Sequence, residues 1–218
     1  MKKLVIFDLD GTMLNTIEDL ANSCNYVLKK WNFSSHSVDK YKTFVGNGAK
    51  KLVERALPEK ERNPEFIEKL HVEFVEYYSK HSEEKTAPYE GIVNLLRGIS
   101  ENNIKIAVAS NKFISATRSL VKKYFHQFEF SSVLGQRDGV PVKPNPQIIY
   151  DVMDEANIWN KEKIIFIGDS GEDMKTATNA GVDSIGVLWG FRSKEELKEN
   201  GAKHIVEKPE EILDILLT

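Results

Sequence analysis

Short runs dominated by apolar residues recur at wide intervals along the chain, at residues 4–7, 106–109, 164–167 and 184–187, each rich in Ile or Val. Runs of this kind, without polar alternation, predict parallel strands buried on both faces. Between and after them, apolar positions repeat with helical spacing over residues 92–99, 115–124, 147–156, 172–180 and 193–200. Several of these stretches end in Asn or Gly, as a helix C-terminus does. The alternation predicts an α/β fold, a doubly wound parallel sheet with right-handed crossovers.

The first crossover breaks the pattern, because nearly a hundred residues separate Phe7 from Ile106 and residues 16–85 offer no convincing strand. This stretch reads as an inserted all-helical domain, with residues 1–15 and 86–218 forming the sheet-bearing core. Thr16 followed by Asp19 has the form of an N-terminal capping pair, and Ile17, Leu20, Ala21, Cys24, Val27, Leu28 and Trp31 keep helical spacing behind it. Cys24 lies within that stripe and reads as a buried structural thiol. A second stripe, Phe66, Ile67, Leu70, Phe74, Tyr77 and Tyr78, reads as core of the insertion and not as an aromatic binding platform. Residues 81–91, polar and carrying Pro88 and Gly91, read as the return linker.

Composition narrows the function classes. Of 218 residues, 41% are hydrophobic and 29% charged, which suits a globular protein with a sizeable core. The balance of 30 Lys+Arg against 33 Asp+Glu, a net charge of −3, argues against a nucleic-acid footprint. No apolar run approaches the roughly 20 residues that cross a bilayer, and the acids of MKKLVIFDLD interrupt what a signal peptide would continue. No membrane partner is expected. One cysteine and five histidines without metal-ligand spacing leave oxygen ligands for any metal site, and a reducing cytoplasm is the expected compartment.

Candidate chemistry gathers where the apolar runs end. The first run is followed by Asp8, Leu9, Asp10, Gly11 and Thr12, and in open α/β sheets ligands bind beyond the carboxyl ends of the strands. Two acids at this spacing repel unless a cation sits between them, although an acidic turn in solvent has the same composition. The second run ends in Ser110, Asn111 and Lys112, whose hydroxyl, amide and amine are phosphate donors or ordinary loop residues. Lys143 lies in Val142, Lys143, Pro144, Asn145, Pro146, where the prolines stiffen the backbone around one ammonium or simply start the next helix. The third run leads into Gly168, Asp169, Ser170, Gly171, Glu172 and Asp173. Asp169 or Ser170 would serve as a helix cap, but three acids here exceed what capping needs and suit Mg²⁺. Acids, a hydroxyl, a lysine and more acids on one sheet edge read as phosphoryl transfer.

With these residues in order, the chain resembles the haloacid dehalogenase (HAD) superfamily, and within it the phosphoglycolate phosphatase-like group. Asp8 to Thr12 matches its DxDGT motif, Ser110 its second-motif hydroxyl, Lys143 its lysine in a KPxP setting, and Gly168 to Asp173 its GDSxxD motif. The helical insertion is similar to the subclass I cap. Met13 stands where Leu is usual, and Asn15 where Asp often precedes Ser/Thr.

The resemblance implies a Rossmann-like core and a Mg²⁺-dependent phosphatase acting on a small-molecule phosphate ester. Asp8 is then the nucleophile and Asp10 the general acid and base, with Lys143 countering the charge of Asp8. Thr12, Ser110, Asn111 and Lys143 are the expected phosphate cradle. Asp8 and Asp169 are the expected side-chain ligands of Mg²⁺, Asp10 contributes its backbone carbonyl, and Asp173 orients the shell. In the insertion, Gly46, Asn47 and Gly48 precede a helix, and their amides or Lys50 are expected to meet a small anionic group. A phosphosugar mutase like β-phosphoglucomutase and a non-catalytic regulatory module are the alternatives, and a monomer and a homodimer are equally compatible with the sequence.

Overall fold

A computed structural model describes residues 1–218. Strand β1 (Leu4–Phe7) has all its residues buried and leads through a tight turn into the short β2 (Leu14–Asn15). The insertion follows as α1 (Ile17–Lys30), α2 (Val38–Lys42), α3 (Ala49–Ala56) and α4 (Pro64–His81). The chain returns through β3 (Ala87–Pro88), which pairs antiparallel with β2 and sets the two connections side by side. Then come α5 (Ile92–Glu101), β4 (Lys105–Phe113), α6 (Ile114–Phe125), β5 (Phe130–Gln136) and α7 (Gln147–Ala156). The remainder is β6 (Ile164–Gly168), α8 (Gly171–Ala180), β7 (Asp183–Val187), α9 (Lys194–Glu199), β8 (His204–Val206) and α10 (Glu210–Leu217).

The main sheet is parallel, in the order β5-β4-β1-β6-β7-β8, with the first strand near its middle. Phe7 is level with Val108 on one neighbour and Ile167 on the other, so Asp8, Ser110 and Asp169 emerge at one edge. The connections leave β1 in opposite directions there, which opens a crevice for ligands. One apolar cluster packs α5, α6 and α10 against the sheet, and another packs α7 and α8 against its opposite face. A third cluster, built from residues between Ile17 and Tyr78 together with Ala116, fills the insertion.

Two strands of the sheet, β5 and β8, are absent from the apolar pattern. Both lie at its edges, where one side of the strand has no partner: Phe130–Gln136 keeps two serines and a Gln among its apolar residues, and His204–Val206 is only three residues long. Helix α1 begins where the pattern places it, but the expected capping pair does not form. The Thr16 hydroxyl is buried without a hydrogen-bond partner, and the Asp19 carboxylate accepts instead from the Lys85 and Thr86 backbone N–H groups and the Thr86 hydroxyl, at 2.8–3.0 Å. Three donors on the returning strand satisfy a buried carboxylate better than one helix N–H. Asp19 thereby fastens the start of the insertion to its end.

Candidate active site

The turn after β1 depends on Gly11. Its φ is +83°, and a Cβ there would stand 2.3 Å from Asp169 Oδ2, so both conformation and space call for glycine. Gly190 meets the same carboxylate from the other side, where an added Cβ would lie 2.2 Å from Asp169 Cβ. Between these two glycines Asp169 is held by the Phe191 backbone N–H at 2.7 Å and more distantly by the Thr12 hydroxyl at 3.5 Å.

Four residues later Asp173 closes a reciprocal cap on α8. Its Oδ2 accepts from the Ser170 backbone N–H and hydroxyl, at 3.1 and 2.6 Å, while Ser170 Oγ accepts from the Asp173 backbone N–H. Its other oxygen accepts from Lys143 Nζ at 2.6 Å. Lys143 also donates to the Ala109 carbonyl at 3.1 Å and stands 2.9 Å from Asp8 Oδ1. That last approach is an ion pair outside hydrogen-bond direction, since Asp8 Oδ1 is buried without a hydrogen bond.

Oxygens of Asp8, Asp169 and Asp173 lie within 4.8 Å of one another, against the single ammonium of Lys143. Burial pushes the Asp8 carboxyl up to about 6, with Lys143 pulling it back and Asp173 and Asp10 adding to the rise. Burial likewise holds Asp169 well above the ordinary carboxylate range, reinforced by Asp173 and Asp8 against the Phe191 N–H and Arg192. Burial would lower Lys143, but Asp173 and Asp8 outweigh it and raise the ammonium above its usual range. Three carboxylates and one ammonium leave two negative charges uncompensated when all are ionised. A divalent cation matches that deficit, and the orphaned Asp8 oxygen has the hard-donor chemistry Mg²⁺ takes. Both Asp173 oxygens accept short hydrogen bonds, whereas Asp8 Oδ1 has none and Asp169 Oδ1 has only the 3.5 Å approach of Thr12, so Asp8 and Asp169 are the side chains better placed to hold it.

The structure brings Asp8, Asp10, Ser110, Asp169, Gly46 and Gly48 to one cavity beneath the insertion, with Lys143 and Asp173 directly behind it. Ser110 Oγ accepts from the Lys112 backbone N–H, leaving its own proton free. The Asp10 side chain stays out of the acid cluster and faces Lys112 Nζ, 3.1 Å from each carboxylate oxygen.

Other expected contacts turn inward. Thr12 is wholly buried, and its hydroxyl serves Asp169 and not a ligand. Asn111 lines the cavity but spends its amide on protein, donating to the Gly46 and Lys143 carbonyls and accepting from the Lys143 N–H. It therefore ties the insertion loop and the lysine loop to β4, where a free phosphate donor was expected. Asn47 accepts from Arg55 at 2.7 Å and lies off the cavity, and Lys50 is exposed and paired with Glu68. In each case a nearby protein partner satisfies the polar group.

Tyr78 and Arg192 line the cavity without having been assigned to it, and Lys112, read as a phosphate donor or a loop residue, lines it paired with Asp10. Lys112 follows the expected Ser-Asn pair directly, so its position was visible, but its acceptors were not. Arg192 donates to the Lys42 and Val45 carbonyls and so clasps the insertion from the loop after β7. The insertion contributes Leu20, Val45, Leu52, Phe74 and Tyr78 to the cavity wall opposite the strand ends.

Comparison with known proteins agrees with this geometry. The sequence description of the haloacid dehalogenase-like hydrolases matches residues 5–187. The phosphoglycolate phosphatase of Psychrobacter arcticus is 30% identical over 99% of this chain and 96% of its own length. That of Pasteurella multocida is 28% identical over 98% of both chains. A crystal structure from Lactobacillus delbrueckii subsp. bulgaricus, ascribed provisionally to a phosphoglycolate phosphatase, superposes with a TM-score of 0.91 at 31% identity and 99% coverage of both chains. Four motifs in order, the strand ends that carry them and these likenesses along the whole chain agree, and the chain belongs to the haloacid dehalogenase-like hydrolase family.

Proposed function

We propose that this chain is a phosphatase that hydrolyses a small phosphomonoester, 2-phosphoglycolate foremost, through an aspartyl-phosphate on Asp8. The observation that carries the reading is the Asp8 carboxylate itself: buried, without a hydrogen bond, 2.9 Å from Lys143 and within 4.8 Å of an Asp169 oxygen. Such a group is poised to attack, and the Lys143 ammonium favours its ionised form against the opposing effect of burial.

Asp8 attacks phosphorus as the ester P–O bond breaks, and Asp10 gives its proton to the departing oxygen. Asp10 then takes a proton from the water that cleaves the acyl phosphate. Ser110 donates its free hydroxyl proton to a phosphoryl oxygen, and Lys143 holds the nucleophile in place. Asp8 and Asp169, with the Asp10 carbonyl, would hold Mg²⁺, which would supply positive charge to offset that of the phosphoryl group. Asp173 keeps Lys143 and the β6–α8 turn in register. Residues 16–85 act as the cap over this site.

The substrate assignment leans on the names of the relatives. Toward the cavity the insertion presents Leu20, Val45, Leu52 and Phe74, so a carboxylate on the leaving group meets the backbone around Gly46 and Gly48 in place of Lys50. A screen of phosphate esters with Mg²⁺, then with chelator, tests both levels. Phosphate release that stops on chelation and favours 2-phosphoglycolate over sugar phosphates, nucleotides and pyrophosphate is expected. Absence of that preference removes the substrate, and no hydrolysis even of an aryl phosphate removes the phosphatase.

A further inference from the structure

Lys112 is a lysine with only 3% of its side chain exposed, although it sits on a strand end beside the cavity. Burial of an ammonium is costly unless its protons find acceptors. Here Nζ lies 3.1 Å from both Asp10 carboxylate oxygens and 2.7 Å from the Tyr78 hydroxyl. Three acceptors match the three protons of the group. Asp10 follows β1, Lys112 belongs to β4 and Tyr78 to α4 of the insertion, so the three meet only while the insertion lies on the sheet edge.

The bond between Lys112 and Tyr78 has one direction. An ammonium only donates, so the tyrosine oxygen accepts, and the tyrosine's own proton must turn away from the lysine. No protein acceptor takes that proton. Tyr78 is wholly buried and borders, together with Asp10 and Ser110, the cavity where an ester would sit.

We propose that Lys112 is a positioning residue for Asp10 and that Tyr78 is the insertion's hydrogen-bond donor to the leaving group. Lys112 aims the carboxylate with two protons and, with the third, turns the tyrosine hydroxyl into the cavity. The proton donor and the leaving-group contact are then assembled by closure of the insertion. This rests on Asp10 being the proton donor, as read above.

The two roles separate from a plain structural ion pair by leaving-group dependence. An alkyl ester needs a proton on its departing oxygen, whereas p-nitrophenolate leaves as a stable anion. Single-turnover release is measured with Mg²⁺ for p-nitrophenyl phosphate and for 2-phosphoglycolate, or glycerol 2-phosphate if the former is not a substrate. Lys112→Met is expected to slow the alkyl ester about 100-fold and the aryl ester less than about 5-fold. Tyr78→Phe is expected to slow the alkyl ester about 5-fold, and Lys112→Arg to keep at least about a tenth of wild-type alkyl release. Circular dichroism and a melting curve accompany each variant. If Lys112→Met does not fold, Tyr78→Phe, which keeps the ring, and Lys112→Arg carry the comparison. Variants that slow both esters alike, or neither, overturn the proposal while an active wild type preserves the phosphatase. A wild type inactive on every ester overturns both.

Discussion

The sheet edge and the helical insertion meet across one cavity, but they are built from opposite materials. On the edge, charges are buried and fixed in place: Lys143 spans Asp8 and Asp173, Asp169 is packed between Gly11 and Gly190, and Asp173 and Ser170 cap one another. The insertion presents mainly apolar side chains, and Lys50, the cation expected at the site, is turned out to Glu68. An electrostatic machine needs fixed dipoles in a site shielded from water, and the apolar lid supplies the shielding. In the proposed function the edge carries the covalent chemistry and the insertion covers it, and disturbing one side should leave a signature unlike that of the other.

The largest contrast is expected from Asp8→Asn, which keeps the shape of the edge and removes the proposed nucleophile. Turnover should fall by about 10⁴-fold or more with an unchanged circular dichroism spectrum. Substantial hydrolysis by pure variant would assign the nucleophile elsewhere. Next in size is Lys143→Met. Three acids would lose their only ammonium, at a cost of about 3 kcal/mol in chelator. Because Asp8 and Asp169 would still bind a divalent ion, Mg²⁺ should raise the melting temperature of this variant more than that of the wild type. Equal stability of the two proteins in chelator would show that the acids need no such partner.

On the insertion side, Arg192→Ala removes the clasp on the Lys42 and Val45 carbonyls. Two lost hydrogen bonds should loosen closure and raise KM about 10-fold with a smaller change in kcat. A fall in kcat alone would place Arg192 with the chemistry of the edge. The smallest effect concerns Cys24, deep in the insertion core, where burial pushes the thiol up to about 12 against a weaker pull from Tyr41. Below the ordinary thiol value of 9.0 the group is protonated in folded and unfolded chains alike, so stability there is indifferent to it. As pH rises from 9.0 toward about 12 only the unfolded chain releases the proton, so stability falls across that window. Alkylation of native protein at pH 8 should be slower than that of denatured protein by about 10³-fold. Comparable rates would mean that the insertion opens readily.

The same division governs how much could be read in advance. Asp8, Lys143, Asp169 and Asp173 were legible because each directly follows a buried apolar strand, sits between prolines or opens a helix. Thr12, Asn111 and Asn47 carry suitable chemistry at suitable places, yet each is engaged by protein. Which partner wins such a group depends on segments far away: Asn111 serves Gly46 and Lys143, 65 and 32 residues distant. Tyr78 had the spacing of a core residue and is one, but its hydroxyl also reaches Lys112 across 34 residues. Edge strands β5 and β8 escaped because a strand flanked on one side need not be continuously apolar.

The four inner strands with the helices between them, the place of the insertion and the candidate acids are legible in the sequence alone, because local periodicity and the residues just past each buried strand state them. The pairing of Lys112 with Asp10 and Tyr78, the inward turn of Thr12 and Asn111, and the clasp of Arg192 were decided only by the tertiary structure. A polar side chain takes the nearest partner that satisfies it, and nearness across the cavity is created only when the insertion folds down upon the sheet.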